Sequence, residues 1–278
     1  MRVVSKHSNS ILHAAATHSP KIRHDTPRTM NGANNDALHR LRSAIICNFD
    51  LAAVSSTEAK NAIVEAKTFI DQVESQMKDA NGQLEGWKYF LRLITVETER
   101  PEVPFLCLQR LINQLGSISA RDRKTVRDTL LGWLSQSVGA GVTSSHGIVL
   151  GPKYIRTKLS VLVAKIIQMD YPESWNAAFE DIATMLEKGN TCIDLYLRIL
   201  IALDQEIFES NTQYWTGKTR EELTKNTTVK DTLRKSKSMQ NIVSVWYQIL
   251  SMFASDGGNA EAYNLVSLCL ESIKCWAR

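Results

Sequence analysis

The sequence predicts an all-α chain of paired helices stacked side by side, and three observations predict it. From about Asp36 onward, apolar residues recur at the i, i+3, i+4, i+7 spacing of a helix with one buried face. No convincing run of strict two-residue alternation, the mark of a half-buried strand, interrupts that pattern. Only 13 glycines and 6 prolines occur in 278 residues, so long helices with short connections are expected. With 44% of its residues hydrophobic, the chain has ample apolar surface for a core.

In chain order, helices are expected over 36–53, 56–80, 83–97, 103–116, 120–138, 153–170, 173–188, 191–209, 219–233, 238–254 and 259–277. Ala62, Ala66, Phe69, Ile70, Val73 and Met77 form the stripe of the second, and Leu108, Leu111, Ile112 and Leu115 that of the fourth. Cys192, Leu195, Tyr196 and Ile199 repeat it in the eighth, as do Val243, Trp246, Tyr247 and Leu250 in the tenth. Ser55 with Glu58, Ser119 with Asp122, and Thr219 with Glu222 have the spacing of capping boxes or their close relatives, which satisfy free N–H groups at helix starts. Gly189 follows Lys188 as a C-terminal cap, and Pro101, Pro152 and Pro172 stand at element ends.

From residue 56 the helices pair into hairpins. Trp87, Trp133 and Trp175 fall in or near the second helix of successive pairs, 46 and 42 residues apart. That is the period of HEAT-like repeats, which stack helix pairs into a solenoid. Trp246 comes 71 residues later because the segment around 210–235 intervenes. In the last helix, Leu265, Val266, Cys269, Ile273 and Trp276 form a face ready for a further element, so the stack is expected to be truncated at Arg278.

Charge and cysteine usage narrow the function classes. Residues 1–35 hold Arg2, Lys6, Lys21, Arg23 and Arg28 against Asp25 alone, which accounts for the whole net charge of +4. They read as a disordered or uncertain leader, and 36–278 as the repeat body. That body is neutral, so a generic polyanion binder is not indicated. The five cysteines are irregularly spaced, each in an apolar helical segment, with no disulfide framework; a reducing compartment follows. No apolar run approaches a membrane span, and the leader lacks the apolar core of a secretory signal.

Candidate chemistry is sparse. Gly139–Gly147 (GAGVTSSHG) follows a helix rather than a strand and lacks the Lys-Ser/Thr pair of a phosphate cradle, so it reads as a loop between repeats. His146 stands alone there, and the other histidines lie in or near the leader; no metal set and no cofactor is indicated. Glu221 and Glu222 suit the positive end of a helix and need no catalytic role. Asn226-Thr227-Thr228 matches the glycosylation triplet, which a cytosolic or nuclear protein leaves unused. Arg234, Lys235 and Lys237 form a basic cluster after a helix end, suited to phosphate contact or simply a solvated turn. No nucleophile–base arrangement is legible, which makes an enzyme the least supported reading.

Residues 155–182 carry a resemblance. Ile155-Arg156-Thr157-Lys158-Leu159 begins a helix that leads to Tyr171-Pro172-Glu173-Ser174-Trp175, with Phe179, Asp181 and Ile182 following. This resembles the third repeat of importin-β-superfamily exportins. Val229–Arg234 (VKDTLR), Val245–Leu250 (VWYQIL), Thr129–Leu134 (TLLGWL) and Phe105–Gln109 (FLCLQ) are similar to stretches of the exportin-T family within it. The resemblance spans roughly 58–255; residues 1–55 depart from it.

The resemblance implies a binding protein, not an enzyme: a monomeric receptor that shuttles between nucleus and cytoplasm. It implies Ran-GTP and tRNA as cooperative partners, release of tRNA after GTP hydrolysis by Ran, and passage through the pore on nucleoporin Phe-Gly repeats. GTP would belong to Ran. In such receptors the second helices of the N-terminal repeats face Ran. Helical geometry then offers Lys88 and Arg92, Lys124 and Asp128, and Glu180 and Thr184 as candidates. Arg234, Lys235 and Lys237 are the corresponding RNA-contact candidates. A karyopherin with protein cargo and a HEAT-repeat scaffold unrelated to transport remain as alternatives.

Overall fold

The structure, a computed structural model, describes residues 32–50, 56–79, 81–97, 99–139, 152–208, 219–254 and 259–277. Two units are distinguished, Met1–Ala37 and Leu38–Arg278, and only the second is described at length. Eleven α-helices occur among the described residues: α1 (Gly32–Phe49), α2 (Thr57–Gln76), α3 (Gly86–Val96), α4 (Glu102–Gln114), α5 (Ala120–Gly139), α6 (Lys153–Asp170), α7 (Ala178–Ala183), α8 (Asn190–Leu203), α9 (Arg220–Lys235), α10 (Lys237–Phe253) and α11 (Ala260–Trp276). A 3-10 turn over Thr184–Lys188 extends α7, and a π turn over Asp204–Phe208 extends α8. Among the described residues the single β feature is an isolated bridge between Lys78 and Leu84.

Helices α4, α6, α8 and α11 pack side by side as one row. The second row runs α3, α5 and α7 with its 3-10 extension, and Glu180 joins it to Ser238 of α10. The core lies between the rows, where Leu108, Leu111, Leu162, Ile166, Leu195 and Ile199 are fully enclosed or nearly so. This is the expected HEAT-like stack.

Several expectations are revised. α1 begins at Gly32, inside the expected leader, whose residues 1–31 lie outside the described ones. The expected helix over 56–80 stops at Gln76. Met77 is extended, Gly82 takes φ +76°, and Asp79 Oδ1 accepts from Asn81 N and Gln83 N, so a tight turn replaces the last helical turn. The cap of α2 is Ser56, whose hydroxyl accepts from Ala59 N; Ser55 lies outside the described residues. The Thr219–Glu222 box forms in full. The Ser119 hydroxyl accepts from Asp122 N and donates to the Asp122 carboxylate, without the return bond of a box.

The helix expected over 173–188 is shorter than its sequence pattern. Ser174 N and Trp175 N both donate to Asp170 O, which folds 171–177 into a turn before α7. Trp175 leaves the helix yet stays buried, its Nε1 donating to Asp181 at 2.7 Å. Chain order also predicts α8 and α9 as a hairpin. Instead α8 packs between α6 and α11, while α9 lies against α6 and the π turn. α9 thus intervenes between the rows' regular members, which accounts for the late position of Trp246. Polar groups anchor it: buried Asn226 accepts from Gln168 Nε2 at 2.7 Å and donates to Glu206 O at 3.3 Å.

The open face expected on the last helix is also partly filled. Leu265 and Cys269 are buried, Trp276 Nε1 donates to Leu200 O at 2.8 Å, and Trp246 Nε1 donates to Ser272 Oγ at 3.1 Å. α11 packs on α8 and α10 together. Tyr247 of α10 and Tyr263 of α11 each stay about three-quarters exposed.

Candidate functional site

The motif that carries the resemblance has a structural explanation. Arg156 and Lys158 stand two residues apart near the start of α6 and reach in opposite directions. Arg156 Nε donates to Asp194 of α8 at 2.7 Å, and Arg198 holds the same carboxylate at 2.8 Å. Lys158 Nζ donates to Gln109 of α4 at 2.5 Å and lies over the Phe105 ring at 5.7 Å. One turn of helix is therefore bonded to both neighbours in its row.

The second row is tied in the same manner. Arg123 of α5 donates to Asp170 at 2.9 Å and to Ile118 O at 2.9 Å. Arg127 stacks over Trp175, 4.8 Å from its ring centre, and donates to Ser174 O. These arginines are four residues apart on one helix, a spacing readable in the sequence, but their partners lie some 47 positions away. Such long-range partners carry no local signal.

The faces deduced for the second helices hold. Trp87, Leu91, Ile94, Val126, Leu130, Trp133, Leu134, Trp175, Phe179 and Ile182 are buried, and Leu84 is half-buried. Of the six Ran-facing candidates, Arg92, Lys124, Asp128, Glu180 and Thr184 are exposed and Lys88 is half-buried. They differ in how free their charges are. Lys88 donates to Glu85 at 2.5 Å, and Lys124 to Asp128 at 2.5 Å, so both cations are partly neutralised by near neighbours in sequence. Glu180 accepts from Ser238, and Thr184 donates to Asp181 O. Arg92 is exposed on α3 and supplies the clearest positive charge of the set.

The three RNA-contact candidates cluster at the one-residue turn between α9 and α10. Arg234, Lys235 and Lys237 are all exposed, and the Arg234–Asp231 separation of 3.9 Å is too long for a strong pair. Ser236 between them turns its hydroxyl to Leu233 O and leaves the start of α10 without a side-chain cap. Its side chain also hydrogen-bonds Tyr171, whose burial pushes the phenol pKa above its ordinary value against that bond. The turn is thus held in place from below while its charges face outward.

Other expected features are placed plainly. Asn226 of the glycosylation triplet is 2% exposed, which closes it to modification. Glu221 and Glu222 sit in the first turn of α9. Loop residues 140–147, including His146, lie outside the described residues. Among the described residues no cluster of His, Cys, Asp or Glu is arranged to hold a metal ion, and no helix is long and apolar enough to cross a membrane.

Comparison with known proteins agrees with the fold. A family model described as Exportin 1-like protein matches residues 152–278. Exportin-T of Arabidopsis thaliana is 28% identical over 240 residues, which cover 85% of this chain and 22% of the relative. Exportin-T of Dictyostelium discoideum is 27% identical over 196 residues, 69% of this chain and 16% of the relative. Human exportin-T is 30% identical over 159 residues, 54% of this chain and 15% of the relative. The chain therefore spans about a fifth or less of the length of these curated relatives. Together with the stacked helix pairs, these matches make the chain similar to exportin-T proteins over more than half of its length.

Proposed function

We propose that this chain is part of a karyopherin-type nuclear export receptor whose cargo is tRNA, and that it takes part in binding Ran in its GTP form. The observation that carries the reading is the similarity to exportin-T across 85% of the chain, together with the chain's own stacked helices. The exposed polar face of α3, α5 and α7 supports a protein partner there, and the basic turn at Arg234, Lys235 and Lys237 supports a phosphate backbone. The mechanism is linkage. Ran-GTP and tRNA each favour the same arrangement of repeats, so each strengthens the other's binding, by about 5- to 150-fold for an ordinary coupling. GTP hydrolysis by Ran removes one partner and releases the other in the cytoplasm. Nucleotide chemistry stays with Ran. Contacts with nucleoporin Phe-Gly repeats, a monomeric state and shuttling between nucleus and cytoplasm complete the reading.

The test is binding of the chain to Ran loaded with a non-hydrolysable GTP analogue and to Ran-GDP, with and without tRNA. Selectivity for the GTP form, reduced by Lys88→Glu with Arg92→Glu, is the expected result. Equal affinity for both nucleotide states by a chain shown to be helical overturns the Ran step. Normal affinity in the double variant removes α3 from the interface.

A further inference from the structure

The corner between α2 and α3 holds an Asn-Gly pair that the fold leaves open. Asn81 and Gly82 are both exposed. Asp79 organises the corner. Its carboxylate accepts from Asn81 N at 2.8 Å and from Gln83 N at 2.9 Å, and its own amide donates to Gln83 O at 2.9 Å. The bridge between Lys78 and Leu84 and a bond from Glu85 N to Met77 O at 2.8 Å close the base. All of these bonds use the main chain or Asp79. Among the described residues the Asn81 side-chain amide meets no partner.

An asparagine side chain can be attacked by the backbone nitrogen of the next residue, and glycine in that place hinders the approach least because it has no Cβ. Both reacting residues here stand in solvent. A Cβ built on Gly82 would meet nothing within 4 Å, so the space beside its nitrogen is open. One restraint opposes the attack: Gly82 N donates to Asp79 O at 3.0 Å, and that bond must open first. It closes an exposed turn, where local opening costs little. Every other asparagine among the described residues precedes a residue with a Cβ, and most lie within helices.

We propose that Asn81 is a site of spontaneous covalent modification, in which loss of its amide converts the α2–α3 corner to an isoaspartyl linkage. The Gly82 nitrogen gives its proton to hydroxide and forms a bond to Asn81 Cγ. The bond from Cγ to Nδ2 breaks, and the amide leaves as ammonia with a proton from water. The resulting succinimide ring holds the Gly82 nitrogen between two carbonyls. Water adds to one of them. Opening at Cγ leaves an ordinary aspartate, and opening at the Asn81 backbone carbonyl leaves the chain running through the side chain. Either product places a new carboxylate beside Asp79. The isoaspartyl form also lengthens the main chain by one carbon between the two amides that Asp79 holds together, so that pairing and the Lys78–Leu84 bridge are lost. The site does not depend on the functional reading above.

The experiment is peptide-level mass spectrometry of the folded chain aged in warm buffer at neutral and at mildly alkaline pH, beside a synthetic peptide of residues 79–88. The tryptic fragment Asp79–Lys88 should gain the mass difference between an amide and an acid and split into two chromatographic products. The change should be faster at the higher pH, because the attacking nitrogen must lose its proton. It should be slower than in the free peptide, which lacks the bond to Asp79 O, and faster than at any other asparagine among the described residues. Asn81→Gln, at an exposed position, should leave circular dichroism unchanged and abolish the conversion, since its ring would need a further carbon. In the aged wild type, hydrogen exchange at the Glu85 amide should rise. An unchanged fragment in the folded chain while the free peptide converts, conversion no faster than at Asn61 or Asn259, or unaltered exchange at Glu85 in a converted sample overturns the proposal.

Discussion

The same substitution, glycine to alanine, should have opposite effects at two positions of this fold. Gly86 opens α3 where that helix crosses α2, and a Cβ placed there meets the Val73 carbonyl oxygen at 1.9 Å. An ordinary carbon–oxygen contact needs roughly 3.3 Å, so α2 and α3 must part by about 1.4 Å. The obstacle is backbone, and no rotamer relieves it. Overpacking of this kind costs up to about 3 kcal/mol, and the better helix propensity of alanine returns at most about 1 kcal/mol. Gly86→Ala should therefore destabilise the contact by about 2 kcal/mol. Gly132 lies within α5 with nothing within 4 Å of its would-be Cβ. Gly132→Ala should stabilise by up to about 1 kcal/mol through propensity alone. Urea unfolding followed by circular dichroism gives the sign of each change, and hydrogen exchange locates it: amides of α2 and α3 lose protection in Gly86→Ala and keep it in Gly132→Ala. A neutral or stabilising Gly86→Ala would refute the close crossing of α2 and α3.

Three further outcomes follow from the ion pairs and thiols. Glu97 is 5% exposed; burial alone would raise its pKa, but bonds from Arg42 and from the Glu99 and Arg100 amides outweigh that and hold it below 4.5. A depressed folded pKa means its stabilisation is present above pH 4.5 and lost as the pH falls through the lower folded value, so the stability gap between wild type and Glu97→Gln should close in acid. Asp194→Ala should cost more than Arg156→Ala, about 3–5 against 1–2 kcal/mol, because the first takes the shared carboxylate from two guanidinium groups and the second leaves Asp194 paired with Arg198; equal costs in thermal unfolding would count against a shared clamp. Cys107, Cys192 and Cys269 are buried, and desolvation raises the latter two thiols to about 11, so a thiol reagent at pH 8 should modify the half-buried Cys47 and Cys275 first and reach these three only on unfolding.

The parts of the fold that could be read from sequence are those fixed by local periodicity. The helix expected over 153–170 matches α6 at both ends, since Pro152 starts it and the turn at Tyr171-Pro172 stops it. The stripe residues named for α3 and α5 were legible from spacing, although α3 also buries Tyr89, Phe90 and Leu93, which the stripe left out. The departures come from distant partners. Trp175 has the spacing to extend the stripe of Phe179 and Ile182, but its indole is claimed by Asp181 and by Arg127 from another helix, and the backbone turns to allow it. α9 carries a full capping box and looks like the partner of α8, yet its few apolar anchors, Val229 and Leu233, and buried Asn226 suit α6 and the π turn. The candidate site was legible as exposed faces only. Which of its charges are spent on neighbours, as with Lys124 and Asp128, depends on the side-chain geometry of the folded helices.

The opposed reach of Arg156 and Lys158 has a mechanical consequence. A stack of helix pairs bends by small rotations at each junction, and its compliance is set by what crosses the junctions. On either side of α6 the crossing bonds involve charged groups, so rotation of this repeat against α4 or α8 strains a polar contact as well as sliding apolar surface. Neither contact is an exposed ion pair: the α8 side is a largely enclosed one and the α4 side a lysine on a neutral amide. Raised ionic strength should therefore leave the stiffness of this third repeat largely unchanged.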